Sequence, residues 1–147
     1  MSDLLANPVV RLYGIVSLLL VLKMAVVGSY TSILRIRRRV FATPEDYALQ
    51  NLPPVGVADE DIERVRRAHR NDLENILPFF LVGWLYTLTG PGMFAARVYF
   101  IGYLIARSLH TVFYIRAMQP YRTISFTVAA LLSAAVLLTT LFRLLAA

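Results

Sequence analysis

The sequence has no cysteine among its 147 residues. That excludes disulfides, thiolate metal centres and any catalytic thiol carried by the protein itself. No glycine-rich phosphate loop is present, which argues against nucleotide chemistry. The two histidines, His69 and His110, stand far apart without a paired ligand, so no metal site is expected. Internal repeats and low-complexity tracts are also missing. The N-terminal "MSDLLANPVVRLYG" has an acid as its first charge, too long an apolar run after it and no small-residue cleavage signal. It is read as the lead-in to a retained helix rather than a leader peptide.

What is abundant is apolar surface. Hydrophobic residues make up 58% of the chain and the mean hydropathy is +0.62, above the roughly 45–50% apolar share of soluble domains. The net charge of +6 would suit nucleic acid, but the basic residues sit in short tracts beside apolar runs, as membrane flanks do. Nucleic acid is therefore not expected as a partner, and membrane lipid is.

Four apolar blocks predict helices over about 8–34, 61–88, 94–116 and 121–145, with one long connection at about 35–60. Each is long enough for a span of about 20 residues, the second only when continued backwards through the polar "DIERVRRAHRNDLEN". "TGPG" and "RAMQPYR" are the short turns. "TPED" reads as an N-cap, a proline at the first helical position and two acids, so a short helix is expected there. The fold class is thus an all-α integral membrane four-helix bundle, residues 1–147 forming one domain. Arg35, Arg37, Arg38, Arg39, the cluster from Arg64 to Arg70, and Arg116 with Arg122 all fall on the first and third connections. Those connections share a side, which the positive-inside tendency makes cytoplasmic.

At that side four helix ends bring chemistry together. The second helix carries Arg67, Arg70, Asn71 and Glu74 at i, i+3, i+4 and i+7, and the third carries Arg107, His110 and Tyr114 at i, i+3 and i+7. Arg35 and then Arg122 with Thr123 come from the other two ends. Charges at membrane depth are costly unless they face protein, water or ligand, so the pattern points to a shared polar pocket. Several guanidiniums and one carboxylate suit a small, multiply charged, peptide-like ligand with two carboxylates and an amine. Blander readings stand beside this. The Arg35–Arg39 tract also serves as a topology anchor, the second helix's charges also fit a solvated face closed by internal ion pairs, and His110 also fits a packing role. Lys23 lies mid-span and either snorkels or pairs across an interface. The aromatic residues of "PFFLVGWLY" fit packing or lipid contact. So many intramembrane charges also exceed what one subunit can shield, which implies an oligomer.

"VFATPEDY", "ERVRRAHRNDLENILPF", "YTLTGP", "ARSLHTVFY" and "YRTISFTVA", in this order, resemble the MAPEG family of membrane proteins in eicosanoid and glutathione metabolism. The likeness runs from Lys23 onward and is greatest to the branch that holds glutathione transferases and prostaglandin E synthases. The resemblance implies a homotrimer that binds glutathione between subunits near the cytoplasmic face. It implies that Arg70, Asn71, Glu74, His110 and Tyr114 hold glutathione, that Arg35 and Arg67 reach in from the subunit boundary, and that Arg107 lies beneath. Arg122 matches the arginine beside the thiol and Asp46 an aspartate with a role in the prostaglandin synthases. Thr123 stands where those synthases have serine, Phe126 where they have tyrosine and Ala130 where they have glutamine. Tyr47 stands near the transferase's thiol-sensing cysteine, so activation by thiol modification is excluded. The expected activity is conjugation of glutathione to lipophilic electrophiles drawn from the bilayer, with glutathione-dependent reduction of lipid hydroperoxides beside it. Alternatives are isomerisation of prostaglandin H to prostaglandin E, or a non-catalytic adaptor of the leukotriene pathway. The expected location is the endoplasmic reticulum or outer mitochondrial membrane of a eukaryote, or the inner membrane of a bacterium.

Overall fold

A computed structural model describes residues 2–54 and 59–146, and these are helical wherever they are regular. The helices are α1 (Ser2–Ala6), α2 (Pro8–Arg38), α3 (Pro44–Leu49), α4 (Glu60–Leu88), α5 (Met93–Ile115) and α6 (Tyr121–Leu145). Three of them, α2, α5 and α6, are long and apolar enough to cross a bilayer. The protein is an integral membrane protein built as a bundle of α2, α4, α5 and α6.

Local chemistry sets the helix ends. Asn7 caps α2, its Oδ1 accepting from Val9 N–H at 2.9 Å, and Pro8 occupies the first turn. With 31 residues, α2 is about 46 Å long. That exceeds the roughly 30 Å hydrocarbon core and leaves Arg35, Arg37 and Arg38 beyond it. The helix runs four residues past the sequence expectation and stops where Arg39 turns left-handed at φ 55°. Thr43 caps α3 as "TPED" predicts. Asp59 caps α4, Oδ1 accepting from the N–H groups of Asp61 and Ile62 at 3.0 Å. Glu60, Asp61 and Glu63 follow in its first turn, where the helix dipole favours acids. Arg38 reaches back from α2 to bond Asp59 and Asp61 at 2.7 Å each, closing the α2–α4 connection. The Arg38 hydrogen bond, followed by the Ile62 N–H, holds the Asp59 carboxyl below the usual carboxylate range.

The core runs along the bundle axis. Leu20, Ile76, Phe79, Tyr86, Phe100 and Val136 are fully buried. Phe79 and Tyr103 stack at 3.6 Å between α4 and α5, and the Tyr103 hydroxyl donates to Asn75 O at 2.9 Å. A Cβ at Gly83 would stand 2.9 Å from Tyr13, so only glycine lets α2 lie this close to α4 there. The Tyr13 hydroxyl then donates to Phe80 O at 2.7 Å. Pro78 inside α4 lacks the N–H that would bond Glu74 O, loosening the helix just past its charged half. α4 packs on α2, α5 and α6, whereas α2 and α6 do not pack on each other. The apolar side chains of α2, α5 and α6 that face outward, such as Leu18, Ile105 and Leu138, are exposed.

Candidate functional site

The alternating helices bring the C-terminal ends of α2 and α5 and the N-terminal ends of α4 and α6 to one end of the bundle. The sequence-predicted residues gather there as two groups on either side of α4.

The first group lines a cleft of about 530 Å³ between α2, α4 and the connection after α2. Arg35, Arg67, Arg70, His69, Thr31 and Ser32 form much of its wall. His69 was not picked out by spacing. It lines the cleft beside Gly28, its ring within van der Waals reach of where a Cβ would stand. Arg35 Nε and His69 Nδ1 are buried there without a hydrogen-bond partner among the described residues. Buried donors of this kind are costly to leave unmet, so the cleft is built to be completed from outside.

The second group lies where α5 and α6 meet. His110 packs against Tyr114 and Phe126, ring centroids 5.6 Å apart in both cases. The Arg122 guanidinium sits 4.8 Å above the Tyr114 ring. His110 Nδ1 donates to Arg122 O at 3.0 Å, and Nε2 is buried without a hydrogen-bond partner among the described residues. In the amide orientation that satisfies both neighbours, Gln119 O accepts from Arg122 Nη2 at 2.6 Å and Nε at 3.0 Å. Its NH₂ then donates to Thr123 Oγ1 at 3.0 Å. Gln119 thus links Arg122 and Thr123, a tie that sequence spacing did not reveal.

Between the groups lies a buried ionic centre. Asp72 of α4, fully buried, receives Arg107 Nη2 at 2.5 Å, Lys23 Nζ at 2.6 Å and the Thr111 hydroxyl at 3.1 Å. Arg107 also donates to Asn71 Oδ1 at 2.9 Å. Asn71, at the edge of the face it shares with Arg67, Arg70 and Glu74, thus turns its amide oxygen toward α5. Its NH₂ also reaches no side chain of that face. Arg70 and Glu74 are exposed and enter no ion pair among the described residues. Asp46 is exposed in α3, its N–H bonded to Thr43 Oγ1 at 3.4 Å. Within one chain, then, Arg35, Arg67 and Arg70 come together, as do His110, Tyr114, Arg122, Thr123 and Phe126, but the two sets share no cavity. No group of three or more histidine, aspartate or glutamate side chains is placed to hold a metal ion among the described residues.

The MAPEG family model matches residues 13–142. Human prostaglandin E synthase is 39% identical over 131 residues, covering 88% of this chain and 86% of that protein. Rat microsomal glutathione S-transferase 1 is 38% identical over 133 residues, covering 87% of this chain and 86% of that protein. The bovine prostaglandin E synthase is 38% identical over 130 residues, covering 88% and 85%.

Proposed function

The chain belongs to the MAPEG family, and from that premise we propose that it is a glutathione transferase of the membrane, joining the glutathione thiolate to lipophilic electrophiles. The observation that carries this reading is the placement of Arg122, Tyr114 and His110 at the same end of the bundle as the arginine-lined cleft. Neither group is complete alone. A cyclic trimer assembled around α4 would set the α2–α4 cleft of one subunit against the α4–α6 side of the next, an interface that closes on itself by rotation. Charged residues left exposed at membrane depth, Arg67, Arg70 and Glu74, support such burial.

In that arrangement Arg35, Arg67 and Arg70 bind the carboxylates of glutathione, where a planar guanidinium offers paired donors. Glu74 meets the amine. The Asn71 NH₂, free because Arg107 holds the amide oxygen, donates to the peptide backbone. His110 and Tyr114 line the site, Arg107 fixes Asn71 from beneath, and Phe126 bounds the apolar side. Arg122 stands beside the sulfur. The thiolate is the reactive form of a thiol, and a fixed positive charge where negative charge concentrates lowers the barrier to attack. The nucleophile comes with the substrate, in keeping with a chain free of cysteine. The electrophile enters laterally from the bilayer. The same thiolate attacking a lipid hydroperoxide breaks the O–O bond, releasing the lipid alcohol and leaving glutathione sulfenic acid, which a second glutathione converts to the disulfide and water. The arginine tracts support a site at the cytoplasmic face, of the endoplasmic reticulum or outer mitochondrial membrane in a eukaryote or of the inner membrane in a bacterium.

A second reading, isomerisation of prostaglandin H, is favoured by Asp46 and by the hydroxyl of Thr123 beside Arg122. A purely adaptor role leaves the Arg122–Gln119–Thr123 arrangement without a use. The test is conjugation of glutathione to a small aromatic halide by purified protein. Turnover that is lost in Arg122→Leu, while glutathione still binds, supports the reading. No turnover with any electrophile in folded protein overturns it.

A further inference from the structure

After Glu74 the sequence contains no aspartate or glutamate, yet it carries Arg97, Arg107, Arg116, Arg122 and Arg143. α5 and α6 thus supply cations with no counter-charge of their own. Arg107 is neutralised by Asp72 from α4. Arg122 is engaged by Tyr114 and Gln119. Arg143 bonds Thr89 O at the other end of the bundle. Arg116 caps α5 at the basic end, is exposed, and has no acidic side chain on its own helix or the next.

An apolar groove of about 360 Å³ opens between α5 and α6, and Phe113 at one end of it precedes Arg116 by about one helical turn. Gly102, Ile105, Leu109 and Phe113 line it from α5, and Ile124 and Val128 from α6. These α5 residues lie on a different flank from Tyr103, Arg107 and Thr111, which meet α4, so the groove opens away from the buried ionic centre. Gly102 opens its floor, since a Cβ there would stand 3.1 Å from Leu132 Cδ1. The Phe113 and Tyr121 rings, 5.5 Å apart, border the end next to Arg116. From Gly102 to Phe113 the groove follows α5 for about 16 Å at 1.5 Å per residue. That is the depth of one leaflet's hydrocarbon, half of roughly 30 Å.

We propose that this groove holds an acyl chain of an anionic phospholipid, whose phosphate is bound by Arg116. The apolar lining matches the chain, the length matches one leaflet, and Arg116, about one turn beyond Phe113 and in no ion pair among the described residues, matches the head group. A basic residue at the membrane surface draws anionic lipid in preference to zwitterionic lipid.

Native mass spectrometry of protein released from nanodiscs tests this, with phosphatidylglycerol and phosphatidylcholine of identical chains present in equal amounts. Wild type retains phosphatidylglycerol over phosphatidylcholine by about fivefold, the ratio one surface arginine supports. Arg116→Gln brings the ratio to unity, and groove-filling Ile105→Trp or Val128→Trp lowers retention of both lipids. Circular dichroism confirms the fold of each variant. Equal retention in wild type, an unchanged ratio in Arg116→Gln, or unchanged retention in both tryptophan variants overturns the proposal. So does efficient coupling of subunits by a bis-maleimide through Leu109→Cys, a lone cysteine in this chain, because a second copy would then occupy the groove.

Discussion

Lys23 Nζ lies 2.6 Å from Asp72 Oδ2, tying α2 to α4 in the interior of the bundle. Arg107 takes the other oxygen of the same carboxylate from α5. One anion thus joins three helices and answers two cations that would otherwise be stranded at membrane depth. Removing one partner of a buried ionic contact costs about 3–5 kcal/mol because the other charge is left uncompensated. Asp72→Ala is therefore expected to destabilise the protein by that amount. Lys23→Met, which leaves Arg107 on Asp72, is expected to cost less. Thermal unfolding in detergent gives both values, and a loss in Lys23→Met equal to that in Asp72→Ala would contradict the shared-carboxylate account.

This centre marks where the sequence stopped being informative. Three of the four long helices follow from apolar runs of spanning length, α4 from a shorter apolar run continued back through polar residues, and α3 from the Thr43–Pro44 start. Asp72 looks no different in sequence from the acids around it. Its role appears only when Lys23, 49 residues earlier, and Arg107, 35 residues later, are brought beside it in space. Helical spacing placed Arg67, Arg70, Asn71 and Glu74 on a common face, yet tertiary contact with Arg107 draws Asn71 inward. The short α1 also escaped notice, since a single turn and a half leaves no periodic signal.

Charge recognition gives a second expectation. Arg70→Ala and Glu74→Ala should each weaken glutathione binding by about 2–5 kcal/mol, much of it from the ligand charge left unpaired on binding. Equilibrium titration of the folded variants measures this. Unchanged affinity in both would remove the exposed face of α4 from the site.

Arg122 bears on the thiol itself. Bound glutathione should ionise below the pKa of the free thiol, and Arg122→Leu should abolish that shift. Thiolate absorbance followed in a pH titration reads it directly. Identical titrations in wild type and variant would transfer the activation to another cation, with Arg35 the next candidate.

The connection between α2 and α4 carries a pH dependence of known sign. Asp59 is held below the usual carboxylate range by Arg38 and the Ile62 N–H, so its contribution is complete above the unfolded carboxylate's pKa. It is lost as pH falls through the lower, folded value. Hydrogen exchange over residues 40–54, corrected for its intrinsic pH dependence, should speed up across that acidic window. Asp59→Asn preserves a good helix cap but breaks the Arg38 ion pair, so it should show faster exchange already at neutral pH. Exchange unaltered by Asp59→Asn would mean that Arg38 does not secure this segment.

Prostaglandin E synthases and microsomal glutathione S-transferases stand at similar identity to this chain, so chemistry has to separate the two activities. Conjugation needs a thiolate and an open apolar site. Isomerisation of an endoperoxide also asks for a proton to leave carbon and for the departing oxygen to be stabilised. Near Arg122 the chain offers the Thr123 hydroxyl, held by Gln119, while Phe126 beside His110 offers none. Asp46 is the remaining acid that could assist, and it sits exposed in α3. Conjugation of an aromatic halide should therefore outpace conversion of prostaglandin H, and Phe126→Tyr, which supplies a phenol next to His110, should raise the slower activity. Should prostaglandin E form tenfold faster in kcat/KM than the conjugate, a difference of about 1.4 kcal/mol in transition-state stabilisation, the order of the two activities is reversed. Asp46→Ala then becomes the decisive variant: loss of the isomerase with glutathione affinity intact would place that carboxylate in proton transfer rather than in holding the substrate.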